Sequence, residues 1–217
     1  MNDNDGLVQL GLHAEVDPNV QLGYKYPACR QPTIIGDNAV IRSGSVIYVD
    51  TQIGDRFTCG HNVIIRANCR IGDDVVILHQ TSLEGNLTIG SGVKLMAHVY
   101  VCSTTEIADE TFVGPGTVFL NDKYPMRRRG AVQGPRIEKG AAIGGHVTLC
   151  PGVTIGAGAI VGAGTLVHRN VPPRMLAMGV PMKLHALPES LPEENISDLL
   201  FGSSDLWGRR TGMDSTR

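Results

Sequence analysis

Four histidines and one pair of polar residues are the groups in this chain best suited to proton transfer. The histidines follow one another at intervals of 18, 19 and 48 residues: His61, His79, His98 and His146. Asn121 and Asp122 stand side by side between the last two of them. Imidazole, carboxamide and carboxylate groups can orient an acceptor and take up its proton, provided that the fold brings them to one surface. The elements that position them therefore decide what chemistry is possible.

A period of six residues organises most of the chain. An aliphatic or similar residue occupies every sixth position from Ile35 to Phe119 and again from Ile137 to Val167, and a second small or apolar residue follows four positions after all of them except Phe119. Only a parallel β-helix explains this pattern well, because three hexads form a triangular coil of 18 residues with both repeat positions pointing inward. We therefore predict an all-β chain with one long excursion, residues 125–136.

The repeat divides the chain into three parts. Residues 1–34 form an N-terminal cap with an irregular first coil, in which the register slips at residues 26–30. Residues 35–172 form the hexapeptide β-helix, which stops at Pro172 and Pro173. Residues 173–217 form a C-terminal segment, with a short helix that opens at Ser190 and a disordered tail from residue 202.

Composition excludes several classes of protein. The formal net charge is −2, which gives no sign of a nucleic-acid partner. The N-terminus is acidic and polar, and no apolar run is long enough to span a membrane, so we expect a cytoplasmic protein. The five cysteines include no closely spaced pair, and Cys59 and Cys69 occupy inward positions, which indicates packing residues. Glycines recur after the inward residue, where a corner needs positive φ or close backbone approach.

The repeat also predicts where the histidines lie. His61 and His79 are one coil apart at the third hexad position and should stack on the same face. His98 and His146 share the fourth position of that face, with Gly116 on the coil between them, and their backbones should lie roughly 10 Å apart.

These features resemble the hexapeptide acyltransferase superfamily. Beyond the repeat itself, the resemblance rests on residues 152–159, on the run from Val161 to Lys183, and most specifically on Phe119-Leu120-Asn121-Asp122-Lys123-Tyr124-Pro125 at the mouth of the excursion. It implies a left-handed helix, a homotrimer with active sites between subunits, and acetyl-coenzyme A (acetyl-CoA) as co-substrate. Within the superfamily the chain looks most like the N-acetyltransferases that act on nucleotide-linked 3-amino sugars.

The resemblance also assigns roles at the loop mouth, residues 119–125. Relatives that acetylate hydroxyl groups carry a histidine there, just before a proline, whereas this chain has none. A neutral amine attacks a thioester without a strong base, so the absence favours an amino sugar as acceptor. Asn121 would orient the amine, Asp122 could receive its proton, and His98 is the preferred proton acceptor. In the excursion Arg128 would bind phosphates.

The remaining assignments concern the two substrates. A smooth groove for the pantetheine arm would come from small residues on the late coils, and basic residues near the last coil would hold the adenosine phosphates: Gly144, Gly145, Ala157 and Ala163 for the groove, Arg169, Arg174 and Lys183 for the phosphates. Polar residues facing outward on earlier coils would line the acceptor side: Arg42, Asn62, Arg66 and His79.

Three other functions remain open. The first is O-acetylation of a sugar or antibiotic hydroxyl, with His79 or His98 as base. The second is a γ-class carbonic anhydrase-like activity, which needs two histidines about five residues apart and a third from another coil. The spacings found here do not match that requirement. The third is a non-catalytic β-helical protein, which leaves the outward polar residues unexplained.

Overall fold

The computed structural model describes residues 6–27, 29, 31–127, 130–191 and 195. Over this part the chain is a parallel β-helix, as the hexapeptide period predicts, and it is left-handed, as the resemblance implies. Each coil contributes one short strand to each of three parallel sheets. A strand has only two to four residues, because the chain must turn a corner after every hexad.

Eight coils of three strands make up the prism. Coils 1 to 4 comprise β1 (Val8–Leu10), β2 (Glu15–Val16), β3 (Gln21–Tyr24), β4 (Thr33–Ile35), β5 (Val40–Ile41), β6 (Val46–Tyr48), β7 (Gln52–Ile53), β8 (Thr58–Cys59), β9 (Ile64–Ile65), β10 (Cys69–Ile71), β11 (Val76–Ile77) and β12 (Ser82–Leu83). Coils 5 to 8 comprise β13 (Leu87–Ile89), β14 (Lys94–Leu95), β15 (Tyr100–Val101), β16 (Glu106–Ile107), β17 (Phe112–Val113), β18 (Val118–Phe119), β19 (Arg136–Ile137), β20 (Ala142–Ile143), β21 (Thr148–Leu149), β22 (Thr154–Ile155), β23 (Ile160–Val161) and β24 (Leu166–Val167). A terminal hairpin adds β25 (Met175–Met178) and β26 (Lys183–Ala186).

The sheets run the length of the prism. Sheet A contains every third strand from β1 to β22, sheet B every third strand from β2 to β23 followed by the hairpin, and sheet C every third strand from β3 to β24. Regular partners lie 18 residues apart, as in Ile71 and Ile89. Val16 instead pairs with Ile41, because the first coil carries seven extra residues at the predicted register slip. Val113 pairs with Ile143, because the excursion adds twelve.

The core is a column of aliphatic side chains. The inward residue of every regular coil is almost completely buried, and Phe57 and Phe119 are the bulkiest of these side chains. Several second inward positions carry Ser or Thr, whose hydroxyl groups donate to a backbone carbonyl at the same corner of the next coil. Ser45 donates to the Gly60 carbonyl and Thr81 to the Met96 carbonyl, both at 2.9 Å. These bonds satisfy polar groups that would otherwise be costly to bury.

Three columns of turns form the corners of the prism, and we number them by the sheet whose strands they follow. Corner 1 follows sheet A, corner 2 follows sheet B and corner 3 follows sheet C. At corner 1 a carboxylate ladder joins the coils, since Asp55 accepts from the backbone N–H of Asp37, and Asp73 accepts from that of Asp55, each at 2.8 Å. The ladder needs glycine, because Asp73 Oδ1 lies where a Cβ on Gly54 would stand.

Close approach, and not positive φ, is therefore the reason for glycine after the inward residue. The positive φ angles fall two residues later, at Asn38, Arg56 and Asp74, where glycine is not required. The sequence is compatible with both reasons, and close backbone approach is the one that applies at Gly36, Gly54 and Gly72.

Replacing Gly54 with Ala should therefore cost stability. Its new Cβ would meet the backbone carbonyl carbon of Gly72 at 2.8 Å as well as the Asp73 carboxylate. We expect a loss of about 1–3 kcal/mol in the free energy of unfolding, measured by urea denaturation. Gly130→Ala is the matched control, since no heavy atom lies within 4 Å of its Cβ position. Equal unfolding midpoints for the two variants would contradict the prediction.

The C-terminal end differs from the expectation. β25 pairs parallel to β23 and then antiparallel to β26, so a hairpin extends sheet B beyond Pro173. Ala177 and Met182 are buried within it. The predicted C-terminal helix opens at Ser190, but Ser190, Leu191 and Asn195 are not helical, and its other residues and the predicted tail lie outside the described part of the chain. Among the described residues, no helix has the length and apolarity to cross a membrane.

Candidate active site

Corner 2 gathers half of the predicted site residues in one column. Successive coils place outward-facing groups there, ordered along the prism axis: Arg42, Asn62, His79, His98, Gly144, Gly145 and Ala163. Lys183 lies near the C-terminal end of this column, because it pairs with Met178, whose side chain packs beside Gly162. His79, His98 and Ala163 are exposed. The column thus combines imidazoles with a stretch of small residues.

The small residues of corner 2 have a structural reason of their own. A Cβ on Gly144 would lie 2.6 Å from the backbone nitrogen of Ala163, and one on Gly114 would lie 2.5 Å from the carbonyl carbon of Gly144. Coil stacking therefore requires glycine at both positions. The resulting surface is low and smooth, which is also what a pantetheine arm needs.

Corner 3 carries a second group of predicted residues. Arg66, Asn121 and Asp122 lie there, together with Arg169 near the end of the prism. The Asn121 Nδ2 group donates to Ser103 Oγ at 3.0 Å and to the Ser103 carbonyl at 3.2 Å. Its backbone carbonyl accepts from the N–H of Gln133 at 2.9 Å, which ties the two ends of the excursion together.

The Asn121 side chain is therefore fixed with its oxygen available. Within the described part of the chain, Oδ1 has no hydrogen-bond partner, and an amide oxygen can only accept. Asp122 is exposed, and its Oδ1 accepts from the backbone N–H of Tyr124 at 2.9 Å. The loop mouth thus presents two acceptor groups and no base of the imidazole type.

His98 and Asn121 do not meet within one chain. His98 precedes β15 and Asn121 follows β18, and these two strands are neighbours in sheet C. The two residues therefore lie one coil apart along the prism axis but at opposite ends of the sheet C strands. Five residues separate the two corners within a coil, which amounts to about 17 Å of strand. A site that uses both residues must be completed by a second subunit.

Corner 1 holds the rest of the predicted cofactor residues. Ala157 and Arg174 are stacked there, joined by a hydrogen bond of 3.0 Å from the Arg174 N–H to the Ala157 carbonyl. They stand on a different edge of the prism from Gly145 and Ala163. One straight pantetheine arm on a single subunit cannot contact both groups. Arg128 lies outside the described residues.

The outward arginines on the early coils have partners inside the chain. Arg42 Nη1 contacts Glu15 at 2.6 Å and Asp17 at 3.1 Å, and the Glu15 hydrogen bond raises the pKa of Arg42. Arg66 contacts Glu84 at 2.7 Å, and the pKa of Arg66 is raised mainly by this hydrogen bond. Both pairs join neighbouring coils, so these residues have a structural role beside the predicted role in acceptor binding.

Two features of corner 2 were missed by sequence reasoning. Ser43 Oγ and His61 Nδ1 form a hydrogen bond of 2.9 Å across one coil. The His146 ring packs against Gly116 on the preceding coil. The 18-residue repeat predicts that both pairs lie at one corner. It does not predict the direction in which each side chain points.

The buried cysteines are unsuited to act as nucleophiles. Burial raises the pKa of Cys59 to about 11 and that of Cys69 to about 12, and it also raises the pKa of Cys102. A thiol needs to be ionised to attack a thioester. All five cysteines are free. Among the described residues, no three His, Cys, Asp or Glu side chains are placed to hold a metal ion.

The outer faces of the sheets differ in polarity. Sheet A is polar and carries an open depression of about 680 Å³ beside Gln52, Arg70 and Thr88, away from the histidines. Sheet C carries partly open apolar side chains, with Ile64 40%, Tyr100 38% and Leu166 38% exposed, and Ser82 and Thr148 lie between them. Apolar residues aligned on one face favour contact with another protein surface.

One family and several known proteins match this chain. Residues 134–169 match the sequence model of the family described as bacterial transferase hexapeptide (six repeats). A putative acetyltransferase from Staphylococcus aureus (strain COL), SACOL2570, is 39% identical over 56 residues. That segment is 25% of this chain, and it spans only 28% of the length of the relative.

Solved structures extend the comparison. The UDP-N-acetylglucosamine acyltransferase LpxA from Bacteroides fragilis 9343 superposes with a TM-score of 0.52 at 18% identity, covering 80% of this chain and 72% of LpxA. A hexapeptide-repeat acetyltransferase from Vibrio cholerae O1 biovar eltor, VCA0836, solved with acetyl-CoA, gives a TM-score of 0.46 at 26% identity over 54% of this chain and 70% of its own. The LpxA superposition shows a shared fold, and residues 134–169 carry the hexapeptide repeat of the bacterial transferases.

Proposed function

We propose that the protein transfers an acetyl group from acetyl-CoA to the amino group of a nucleotide-linked amino sugar, in sites formed between the subunits of a homotrimer. The observation that carries this proposal is the loop mouth. Asn121 is held by Ser103 so that only its acceptor oxygen is free within the described residues, and Asp122 stands beside it. Two acceptors and no imidazole suit an amine, which is a hydrogen-bond donor and needs no strong base.

A threefold assembly would bring together His98 and Asn121, which lie on different corners of one chain. If sheet C of three subunits faces a common axis, corner 2 of one subunit meets corner 3 of the next. His98 then approaches the neighbour's Asn121, although the two are about 17 Å apart within one chain. The exposed apolar side chains of Ile64, Tyr100 and Leu166 support this choice of sheet. A closed cyclic oligomer repeats the same contact three times.

The donor would lie along the late part of corner 2. Gly144, Gly145 and Ala163 leave a low backbone surface for the pantetheine arm, and Lys183 stands near its end for phosphate. The family match at residues 134–169 and the acetyltransferase name of the S. aureus relative support acetyl-CoA as the donor. Arg169 at corner 3 is placed for a contact from the next subunit, whereas Ala157 and Arg174 at corner 1 point away from the threefold axis and fall outside the proposed site.

The test is thiol release from acetyl-CoA with a nucleotide-linked 3-amino sugar, run beside the matched 3-hydroxy compound. We expect the amine to give a rate at least about 100-fold above the hydroxyl compound, because the loop mouth offers no strong base. Preferential release with the hydroxyl compound would replace the proposal with O-acetylation. No release with either compound would reject both substrates.

O-acetylation is the second candidate. The His98 and His79 rings are exposed at corner 2, and neither has a hydrogen-bond partner within the described residues. An imidazole of this kind could serve a hydroxyl acceptor as base if the neighbouring subunit brought that acceptor to it.

A further inference from the structure

Gly116 stands where a side chain would collide with an imidazole. A Cβ on Gly116 would lie 2.7 Å from both Cε1 and Nδ1 of His146 and 3.3 Å from Nε2. The His146 ring therefore leans back from its own coil and covers the backbone of the coil before it. This direction brings both ring nitrogens towards the coil that carries His98.

His98 and His146 stand two coils apart at corner 2. His98, Gly116 and His146 occupy the same turn position of corner 2 on three successive coils. The backbones of His98 and His146 lie two coil spacings apart, roughly 10 Å. Because the His146 ring lies over the intermediate coil, the distance from this ring to the His98 backbone is shorter by about one spacing. Both histidines are exposed, and neither ring has a hydrogen-bond partner within the described residues. Gly116 thus lies beneath the His146 ring, on the coil between the two histidines.

Backbone conformation does not explain glycine at this position. Gly116 has a φ of 68°, but Asn62, Gln80 and His98 adopt φ angles of 57°, 59° and 62° at the same turn of earlier coils. Polar side chains are therefore tolerated at this corner. Glycine also occupies this turn at Gly44 and Gly164, but only at position 116 of these three does an imidazole ring stand where a Cβ would be.

We propose that Gly116 is a positioning residue for acyl transfer, because its missing side chain lets the His146 ring lie over the Gly116 backbone, where the ring accepts the proton of the acceptor amine. The inference rests on the proposed function. The amine nitrogen forms the new C–N bond with the thioester carbonyl carbon, and the C–S bond breaks. The amine proton passes to His146, and the departing thiolate of coenzyme A then takes up a proton from the imidazolium. Gly144 and Gly145, directly before His146, place the donor groove beside this ring.

The test compares Gly116→Ala with Gly140→Ala in the full chain. Gly140 has a φ of 67° and no heavy atom within 4 Å of its Cβ position, so it reproduces the backbone strain without the collision. We expect Gly116→Ala to lower kcat by about 100-fold with KM within about 3-fold, because proton transfer is lost and binding is not. Gly140→Ala should change kcat by less than about 3-fold.

Two further readouts separate positioning from a structural effect. The NMR signal of the His146 Cε1–H group, recorded at one pH, should move in Gly116→Ala and stay in place in Gly140→Ala. In a His146→Ala background, Gly116→Ala should lower kcat by no more than about 2-fold further, since the two changes remove one interaction. Equal losses in the two glycine variants, an unchanged kcat in Gly116→Ala, or additive losses would overturn the inference alone. A wild-type protein that acetylates no amine would overturn the proposed function with it.

Discussion

Two inactive variants, His98→Ala and Asn121→Ala, are expected to restore about a quarter of the wild-type acyl-transfer rate when they are co-expressed and assemble into mixed trimers. In the proposed trimer each site takes corner 2 from one subunit and corner 3 from the next. A site is intact when an Asn121→Ala subunit supplies His98 and a His98→Ala subunit supplies Asn121. With equal amounts of both, random assembly gives that combination about one time in four.

Each variant alone should fall by at least about 100-fold, because every site then lacks either one of the two imidazoles of corner 2 or the group that orients the amine. The measurement is thiol release per protomer of the whole co-expressed population, since mixed trimers selected through two different affinity tags would each hold one intact site in three. A site contained within one subunit would give no recovery, since each subunit carries one lesion.

The matched control mixes His98→Ala with His146→Ala. Both residues lie at corner 2, so each site receives them from the same subunit. One of the two is then missing from every site, and the mixture should stay as inactive as its parts. Recovery in this control would mean that the two histidines serve different sites. A monomeric protein in sedimentation measurements would reject the shared site altogether.

The six-residue period alone predicts much of the fold and the corner on which each site residue lies. The period of six predicts which residues point inward, and the structure buries Ile41, Ile65 and Leu95 as expected. The excursion also falls where the period is interrupted. Positions 98 and 121 differ by 23, which is not a multiple of 18, so the sequence already contained the signal that His98 and Asn121 lie on different corners.

Other features could not be read from the period. Arg42 contacts Glu15 and Asp17 because the first coil is offset by 25 residues instead of 18, an offset set by the seven extra residues that end the coil. The His146 ring leans onto Gly116 through a choice of rotamer, which no repeat specifies. The hairpin of β25 and β26 follows a double proline that reads as the end of the repeat, and its pairing is antiparallel. In each case the contact depends on local geometry outside the repeat.

Replacing Phe119 with Ala should have the largest effect on stability. Phe119 is completely buried at the inward position of β18, paired in register with Leu149 on the next coil. Removing its ring leaves a cavity in a prism whose backbone cannot collapse, because every coil is held to its neighbours by the sheet hydrogen bonds. We expect the free energy of unfolding to fall by about 3–5 kcal/mol. Urea denaturation of the full chain measures it.

The adjacent Leu120 supplies the control, because its side chain turns outward and is 38% exposed. Leu120→Ala should cost less than about 1 kcal/mol, although it lies equally close to Asn121. Each coil contacts only its neighbours, so the Phe119 cavity should raise amide hydrogen exchange most on coils 5 to 7 and little on coil 2. A uniform rise along the prism would show instead that the coils unfold as one cooperative unit. A loss below about 1 kcal/mol for Phe119→Ala would mean that neighbouring side chains refill the space, and would contradict a rigid prism.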